Sequence, residues 1–262
     1  MIAISRNIFM LLVVTFLAAP LIVVAGVSLN SPKRLLFPPE GLSFRWYSEL
    51  FSQPDWLNAL SNSLLIAVAA SLLAVSIALP LAIYIWSRGN KLARLLFGLG
   101  VAPFMLPPVI SALGFMTFWI AMDLYGSIWA TIISHGIFLV TLPLVTISLG
   151  LSTINQQLIE VAATMGANRR LVLTTVILPL VKPYVISGLA FVFVLSLNEY
   201  IIAYMVAGFT AETLPIKIFN SLRYGYTPVM ASVAVFFVMT AVVVFGSVAR
   251  FGDLPRLLGA ER

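Results

Sequence analysis

The segment STINQQLIEVAATMGANRRLVLTTVILPLVKP, residues 152–183, places polar and small residues between two long apolar runs. Asn155 or Thr153 carries a side-chain oxygen that can cap a short first helix. Gly166 stands where that helix should end in a left-handed residue, and Asn168 can cap the next helix. The segment therefore predicts a helix, a tight turn and a second helix that leads into the following apolar run.

The first of these helices has the composition of a contact surface. Leu158, Ala162 and Met165 are spaced by four and three residues, which places them on one helix face. Small residues allow the close approach of a partner, and Glu160 can meet the helix dipole or a basic group of that partner. The alternative interpretation is a capped loop that only connects two membrane spans.

The composition excludes an ordinary water-soluble domain. Of 262 residues, 61% are hydrophobic and 9% are charged, whereas charged residues make up roughly 25% of a soluble domain. The net charge of +6 comes from basic residues in short patches beside apolar runs, which favours contact with a lipid bilayer over binding of nucleic acid. The absence of cysteine excludes disulfides, thiolate metal sites and cysteine nucleophiles.

Six apolar runs are long enough to cross a bilayer, which predicts an all-α integral membrane protein with six transmembrane helices. The runs cover residues 7–29, 57–87, 95–122, 127–150, 176–207 and 228–250. Prolines inside them predict kinked helices, and these are Pro20, Pro80, Pro103, Pro107, Pro108, Pro143 and Pro183. The first run can also be interpreted as a cleaved signal peptide, although it is longer than a typical signal core.

The distribution of Lys and Arg predicts the orientation, because short loops rich in these residues stay in the cytoplasm. One side carries nine of them (Arg6, Arg88, Lys91, Arg94, Arg169, Arg170, Arg250, Arg256 and Arg262), and the other carries five (Lys33, Arg34, Arg45, Lys217 and Arg223). Both termini and the Glu160 segment are therefore predicted to be cytoplasmic. On the opposite side, FRWYSELF, residues 44–51, predicts an amphipathic helix that lies on the membrane surface.

The whole chain, residues 1–262, is predicted to form one transmembrane domain. Its core bundle is expected over about residues 57–250 and its cytoplasmic segment over about residues 152–175, with boundaries accurate to a few residues. No polar segment is long enough to fold as a soluble domain, and nothing matches the phosphate-binding sequence G-x-x-x-x-G-K-[ST]. Energy for any transport must therefore come from another chain or from a gradient.

Residues 160–179 resemble the EAA signature of permease subunits in binding-protein-dependent ABC importers. That signature is E-A-A, three residues, a glycine, and then a hydrophobic-rich stretch that ends in L-P. The matching residues are, in order, Glu160, Val161, Ala162, Gly166, Leu178 and Pro179. Val161 stands where the signature usually has alanine, and Leu173 stands where phenylalanine is common. Both replacements are conservative in shape.

The resemblance implies a type I ABC importer permease fold and a transport subunit rather than an enzyme. In that family the short helix docks on an ATPase dimer, which binds the ATP and Mg, so this chain is expected to bind no cofactor. The resemblance also implies a second permease subunit, a periplasmic solute-binding protein and a location in the bacterial inner membrane. The residues expected to contact the ATPase are Glu160, Val161, Ala162, Ala163, Met165, Gly166 and Ala167, continued by Leu178 and Pro179.

Glu199 lies inside the fifth apolar run, in LSLNEYIIAY. Because a charged residue inside a membrane is energetically costly, it usually has a functional role. In a continuous helix it would lie roughly 13 Å below the outer end. One interpretation places Ser196, Asn198 and Glu199 on the path of a cationic or amine-bearing solute. The other makes Asn198 and Glu199 a hydrogen-bonded pair that fixes helix packing. His135 is predicted to be a packing residue, because no second histidine or well-placed carboxylate accompanies it.

The C-terminal third resembles the spermidine/putrescine branch of the same permease family. That branch carries S-L-D-D or S-L-D-E, followed by L-P-x-K-I and an aromatic residue. Ser196, Leu197 and Glu199 match the first element, Asn198 replaces its first acid, and LPIKIF, residues 214–219, matches the second. The missing acid weakens the assignment of a diamine or polyamine. Besides a polyamine, the resemblance therefore leaves a singly charged amine, an opine, an amino-acid-like solute and an aminophosphonate open.

Two other classes of protein are weaker interpretations. A gradient-driven secondary transporter or channel would more often contain inverted repeats and paired intramembrane acids, and the sequence shows neither. An intramembrane enzyme lacks a catalytic constellation, since Ser134 and His135 point apart on a helix and no H-E-x-x-H occurs. The sequence predicts no catalytic residue and no metal site.

Overall fold

The computed structural model describes residues 2–208, 210–225 and 227–251, and it is helical almost throughout. Within these ranges the α-helices are α1 Ile2–Ser28, α2 Arg45–Ser52, α3 Pro54–Arg88, α4 Lys91–Met105, α5 Pro108–Ala121, α6 Ile128–Leu139, α7 Thr141–Ser152, α8 Gln156–Thr164, α9 Arg169–Val172, α10 Leu178–Asn198, α11 Ile201–Ala207, α12 Leu214–Tyr224 and α13 Val229–Phe251. A π-helical turn, Leu173–Ile177, joins α9 to α10. Arg256 and Arg262, which contributed to the predicted orientation, lie outside the described residues.

In the described part of the chain, five helical stretches are long and apolar enough to cross a membrane individually: Arg6–Ser28, Pro54–Arg88, Ile128–Ser152, Arg169–Asn198 and Val229–Arg250. They correspond to five of the six predicted spans. The predicted span over residues 95–122 is present as two helices, and its prolines bend it sharply, because α4 and α5 meet at an angle of 104°. Counted as one broken span, this bent pair completes the six crossings.

Consecutive prolines cause the bend between α4 and α5. A residue that precedes proline is pushed out of the α region into an extended conformation, and both Leu106 and Pro107 precede a proline. Leu106 has ψ 146° and Pro107 has ψ 134°, so α4 ends at Met105. Pro108 then begins α5, where its missing N–H is tolerated in the first turn.

The centre of the bundle is built from α3, α7 and α10, which pack against one another. Small residues let helix backbones approach closely inside a membrane protein. A Cβ atom added to Gly188 of α10, for example, would lie 2.8 Å from Cα of Pro143 in α7. α3 contributes a row of fully buried alanines, which are Ala67, Ala70, Ala74, Ala78 and Ala82.

The fifth predicted span, residues 176–207, continues the helix predicted to follow the Asn168 cap, which begins at Arg169. The prediction that this helix continues past Glu199 is wrong, because α10 ends at Asn198 and α11 forms a separate short helix that packs against α5 and α6. Glu199 therefore lies at a break between two helices. The predicted depth of roughly 13 Å assumed a continuous helix and does not apply.

The amphipathic helix predicted in FRWYSELF is present as α2. Its residues Trp46 and Leu50 are fully buried in a cluster with Trp56 of α3 and Val233 of α13. The indole Nε1 of Trp46 donates a hydrogen bond to the carbonyl oxygen of Asn30 at 2.6 Å. The expected position on the membrane surface is wrong, because the apolar face of α2 packs against the bundle.

Candidate functional site

Two asparagine caps fix the helices that follow the fourth span. Asn155 Oδ1 accepts a hydrogen bond from the backbone N–H of Gln157 at 2.9 Å and begins α8. Asn168 Oδ1 accepts one from the backbone N–H of Leu171, also at 2.9 Å, and begins α9. The predicted helix, turn and helix is confirmed, with Asn155 rather than Thr153 as the first cap.

The turn between α8 and α9 depends on Gly166. Its φ is +83°, a left-handed conformation that residues with a Cβ atom adopt at a cost. The N–H groups of Gly166 and Ala167 donate to the carbonyl oxygens of Ala163 and Ala162, each at 3.0 Å. These bonds satisfy carbonyl groups at the helix end, so the predicted left-handed C-terminus of α8 is confirmed.

α8 has one face toward the bundle and one face away from it. Ile159 and Ala162 pack against the buried cluster formed mainly by α3, α7 and α10. Leu158, Val161 and Met165 point away, with 51%, 57% and 83% of their surfaces exposed, and we call these three residues the docking face. Ala162, predicted on the same helix face as Leu158 and Met165, is only partly buried and contacts the bundle at the edge of that face.

Glu160 and Ala163 are exposed on the same helix. Among the described residues Glu160 forms no ion pair. An exposed carboxylate beside an exposed apolar face can therefore pair with a basic group of another chain. Ala167, by contrast, is only partly exposed and packs with Ile159 against the bundle.

The connection from α9 into α10 passes through the π-helical turn. The hydroxyl groups of Thr174 and Thr175 bond back to the carbonyl oxygens of Arg170 and Leu171 at 3.0 and 2.6 Å. Leu178 and Pro179 then form the first turn of α10, which continues the π turn without a break in helical backbone. Pro179 therefore removes one backbone donor within a continuous helical stretch. The pair that closes the EAA-like pattern thus lies where the π turn returns to an α-helix.

Glu199 caps the short helix α11. Its backbone is extended, with φ −73° and ψ 121°. The carboxylate accepts hydrogen bonds from the backbone N–H groups of Ile201 and Ile202 at 2.9 Å and of Ala203 at 3.1 Å. These are the unpaired N–H groups of a helix start, which favours a negative charge at this place.

His135 joins α6 to the same break. Its Nδ1 atom lies 2.8 Å from Oγ of Ser196, and its Nε2 atom lies 3.3 Å from Oε2 of Glu199. The second contact is close enough for an ion pair but is not aligned as a hydrogen bond. The ring is fully buried. The prediction that no well-placed carboxylate accompanies it is wrong.

Asn198 does not pair with Glu199. Its Nδ2 atom donates to the carbonyl oxygen of Val194 at 2.8 Å, and the side chain is exposed at the end of α10. The rings of Tyr200 and Tyr204 stack with centroids 5.4 Å apart. This aromatic pair was missed in the sequence, although its spacing of four residues would place both rings on one helix face.

A second polar cluster, also missed in the sequence, surrounds Lys217 of the LPIKIF element. The Nζ atom of Lys217 lies 3.1 Å from Oε2 of Glu212 and 3.8 Å from Oδ2 of Asp55. Asn220 donates to the other oxygen of Glu212 at 2.9 Å. The cluster ties the start of α12 to the first turn of α3. Within the described ranges, no group of three or more His, Cys, Asp or Glu residues is placed to hold a metal ion.

A bundle of membrane-crossing helices with an anchored, partly apolar helix exposed at one end fits the permease class of membrane transport subunits. The chain belongs to the family of binding-protein-dependent transport system inner membrane components, whose sequence model matches residues 74–253. It is therefore a multi-pass membrane permease of an ABC importer and not an enzyme. Membership also implies an ATPase and a solute-binding protein as partners.

Two curated relatives cover most of this chain. The putrescine transport system permease protein PotI of Escherichia coli K12 is 31% identical over 254 residues, which is 93% of this chain and 89% of that protein. The spermidine/putrescine transport system permease protein PotC of Haemophilus influenzae is 28% identical over 229 residues, which is 87% of this chain and 89% of that protein. The predicted resemblance to this branch is confirmed.

Solved structures share the fold at low sequence identity. One chain of a bacterial ABC transporter involved in the import of the acidic polysaccharide alginate superposes with a TM-score of 0.68 and 17% identity, covering 96% of this chain and 95% of that one. A chain of the MetNI methionine ABC transporter in an inward-facing conformation superposes with a TM-score of 0.64 and 18% identity, and the match covers 80% of this chain and 100% of that one. These likenesses confirm the predicted type I importer permease fold.

Proposed function

We propose that this chain forms half of the translocation path of an ATP-driven importer for a small cationic amine of the polyamine class. The docking face on α8 is the main observation that supports the ATP-driven part of this proposal. Three exposed apolar residues on a short helix outside the bundle indicate a surface that another protein covers. A periplasmic binding protein delivers the solute, and a second, different permease subunit supplies the other half of the path.

The ATPase dimer contacts α8 through the docking face, with Glu160 toward one of its basic groups. Because Ile159 and Ala162 pack into the bundle, a displacement of α8 moves the membrane helices as well. The motion continues through the Gly166 turn and α9 into α10, which begins with Leu178 and Pro179. ATP and Mg bind to the ATPase, and this chain holds no cofactor.

The solute path passes the break between α10 and α11. Non-helical backbone at membrane depth is tolerated where protein covers it or where it lines a water-filled cavity. The exposed amide of Asn198 and the face of Tyr200 can contact an ammonium group there, the latter through a cation–π interaction. Glu199 supplies the negative charge, and Ser196 holds it in position through His135.

The relatives support an amine as the solute, since PotI is named for putrescine and PotC for spermidine and putrescine. Asn198 leaves one carboxylate at this position, which suits a solute with few positive charges. The permease lies in the bacterial inner membrane with both termini and α8 on the cytoplasmic side, as the distribution of basic residues favours. The whole chain acts as one permease domain around the core bundle.

Uptake into proteoliposomes tests this function. The assembled transporter, its ATPase and its binding protein are expected to accumulate labelled putrescine only when ATP is present. Uptake driven by an ion gradient without ATP would instead identify a secondary transporter. If unlabelled putrescine does not reduce uptake but an opine, an amino acid or an aminophosphonate does, the solute is that compound and not a polyamine.

A further inference from the structure

A cavity lies at the α8 end of the bundle, remote in sequence from the α10–α11 break. Its volume is about 540 Å³, and it is lined by the last turns of α3 together with α8, α9 and the π-helical turn. Small-molecule sites typically measure roughly 300–1,000 Å³. Its apolar walls include Ile83, Ile159 and Val172, and Arg88 and Arg169 also line it.

The side chains of Arg88 and Arg169 are both exposed. Within the described part of the chain, neither Arg88 nor Arg169 forms an ion pair with a carboxylate. A guanidinium group matches the geometry of a phosphate and can bind it through two parallel hydrogen bonds. The cavity therefore combines two phosphate-binding side chains with apolar walls.

The location fits a lipid. The uncharged run of α3 covers residues 56–87 and ends directly before Arg88. Because an uncharged run of this kind marks the part of a helix that crosses the bilayer, the cavity at Arg88 lies next to the end of that part. Trp86, another lining residue, belongs to a residue type that is enriched at this level of a bilayer. Basic pockets between transmembrane helices at the membrane boundary can bind anionic head groups.

We propose that this cavity binds an anionic phospholipid, with the phosphate between Arg88 and Arg169 and the acyl chains along Ile83 and Val172. An acidic segment of a partner protein would pair with the arginines but leave the apolar walls uncovered, whereas a phospholipid satisfies both. The bound lipid bridges α3 to α8 and α9. It thereby fixes the position of the coupling helix relative to the bundle, independently of which solute is transported.

Native mass spectrometry of the complete transporter, purified with its partner subunits, tests the proposal. Phosphatidylglycerol, phosphatidylcholine and glycerol phosphate are titrated in separate arms. We expect phosphatidylglycerol to bind in preference to phosphatidylcholine. Arg88→Gln and Arg169→Gln should each weaken this binding roughly fivefold, the effect of one basic side chain at a membrane surface.

Arg170→Gln is the matched control, because Arg170 neighbours Arg169 in sequence and does not line the cavity. Should a glutamine variant fail to assemble, Arg88→Lys and Arg169→Lys keep the charge and are expected to retain most of the preference. Equal binding by the Arg169→Gln and Arg170→Gln proteins would overturn the proposal. So would complete displacement of the lipid by glycerol phosphate, or loss of the ATPase from the Arg169→Gln complex with lipid binding unchanged.

Discussion

Nε2 of His135 in α6 lies 3.3 Å from Oε2 of Glu199 at the end of α10. The other ring nitrogen, Nδ1, lies 2.8 Å from Oγ of Ser196. One buried ring therefore fixes the last turn of α10 and the acidic cap of α11 to a third helix. The break in the fifth span is thus held in a defined geometry by contacts to α6.

Glu199→Gln tests the charge at this break. The glutamine side-chain oxygen can still accept hydrogen bonds from the start of α11, so we expect the chain to insert and assemble. Uptake of the amine should fall roughly tenfold, because an interaction worth about 1.4 kcal/mol with the ammonium group is lost. Glu49→Gln, which removes a partly buried acid paired with Arg45 in α2, serves as the control in the same assay. Unchanged uptake by the Glu199→Gln protein would show that Glu199 only caps α11.

His135→Ala tests the buried contact itself. The variant leaves the hydroxyl of Ser196 without its partner and opens a cavity, which should lower the free energy of unfolding by about 1–3 kcal/mol. Thermal unfolding of the purified transporter measures the loss. His135→Asn keeps a hydrogen-bonding group near the position of Nδ1 and should lose less. Equal melting temperatures for the His135→Ala protein and the unchanged protein would contradict the stabilising role of His135.

Gly166→Ala tests the backbone of the turn. A Cβ atom at Gly166 would meet nothing within 4 Å, so the expected cost is about 1–2 kcal/mol of left-handed strain alone. Uptake should fall, whereas Gly166→Asn should stay closer to the unchanged protein because asparagine tolerates this conformation. Gly166→Pro should abolish coupling, since proline cannot adopt φ +83° and loses the bond to Ala163.

Gly98→Ala is the matched control for these variants. Gly98 lies inside α4, and an added Cβ atom there also meets nothing within 4 Å. The substitution should leave ATP-driven uptake unchanged. An equal loss of uptake in the Gly98→Ala and Gly166→Ala proteins would show that the turn at Gly166 has no special role in transport.

Gly188→Ala tests the close packing of α7 and α10. An added Cβ atom would lie 2.8 Å from backbone Cα of Pro143, so the two helices must separate. We expect a loss of about 1–3 kcal/mol in the free energy of unfolding, measured by thermal unfolding in detergent. At Gly114 an added Cβ atom would meet nothing within 4 Å, so Gly114→Ala should leave the free energy of unfolding almost unchanged. Equal melting temperatures for the two variants would contradict the close approach.

The local structure around α8 could be predicted because its determinants are neighbours in sequence. Asn155 and Asn168 bond to N–H groups two and three residues away, and Gly166 closes its own turn. Hydropathy likewise located the spans, since a bilayer requires long apolar stretches. The prolines at 107 and 108 indicated a kink, but the angle of 104° depends on how α5 packs after the bend.

Glu199 was singled out in the sequence as a charge inside an apolar run, but the helix break at Glu199 and its contact with His135 could not be predicted from local patterns. Residues 201–207 are almost as apolar as the run before them, so hydropathy showed one continuous helix. The contact between His135 and Glu199 joins two separate spans, and no local spacing rule relates them. The contact of Ala162 with the bundle was missed for a similar reason, because helix periodicity gives a face but not the side on which the bundle lies.

The contact between α8 and an ATPase is the central claim, and site-directed cross-linking in membranes tests it most directly. The chain contains no cysteine, so Met165→Cys introduces its only thiol, on the most exposed residue of the docking face. With a thiol-to-amine cross-linker, we predict a product that joins this chain to the ATPase subunit. Leu124→Cys, between α5 and α6 at the opposite end of the fourth span, should give none. The same yield from both variants, or no ATPase product from Met165→Cys, would contradict the account.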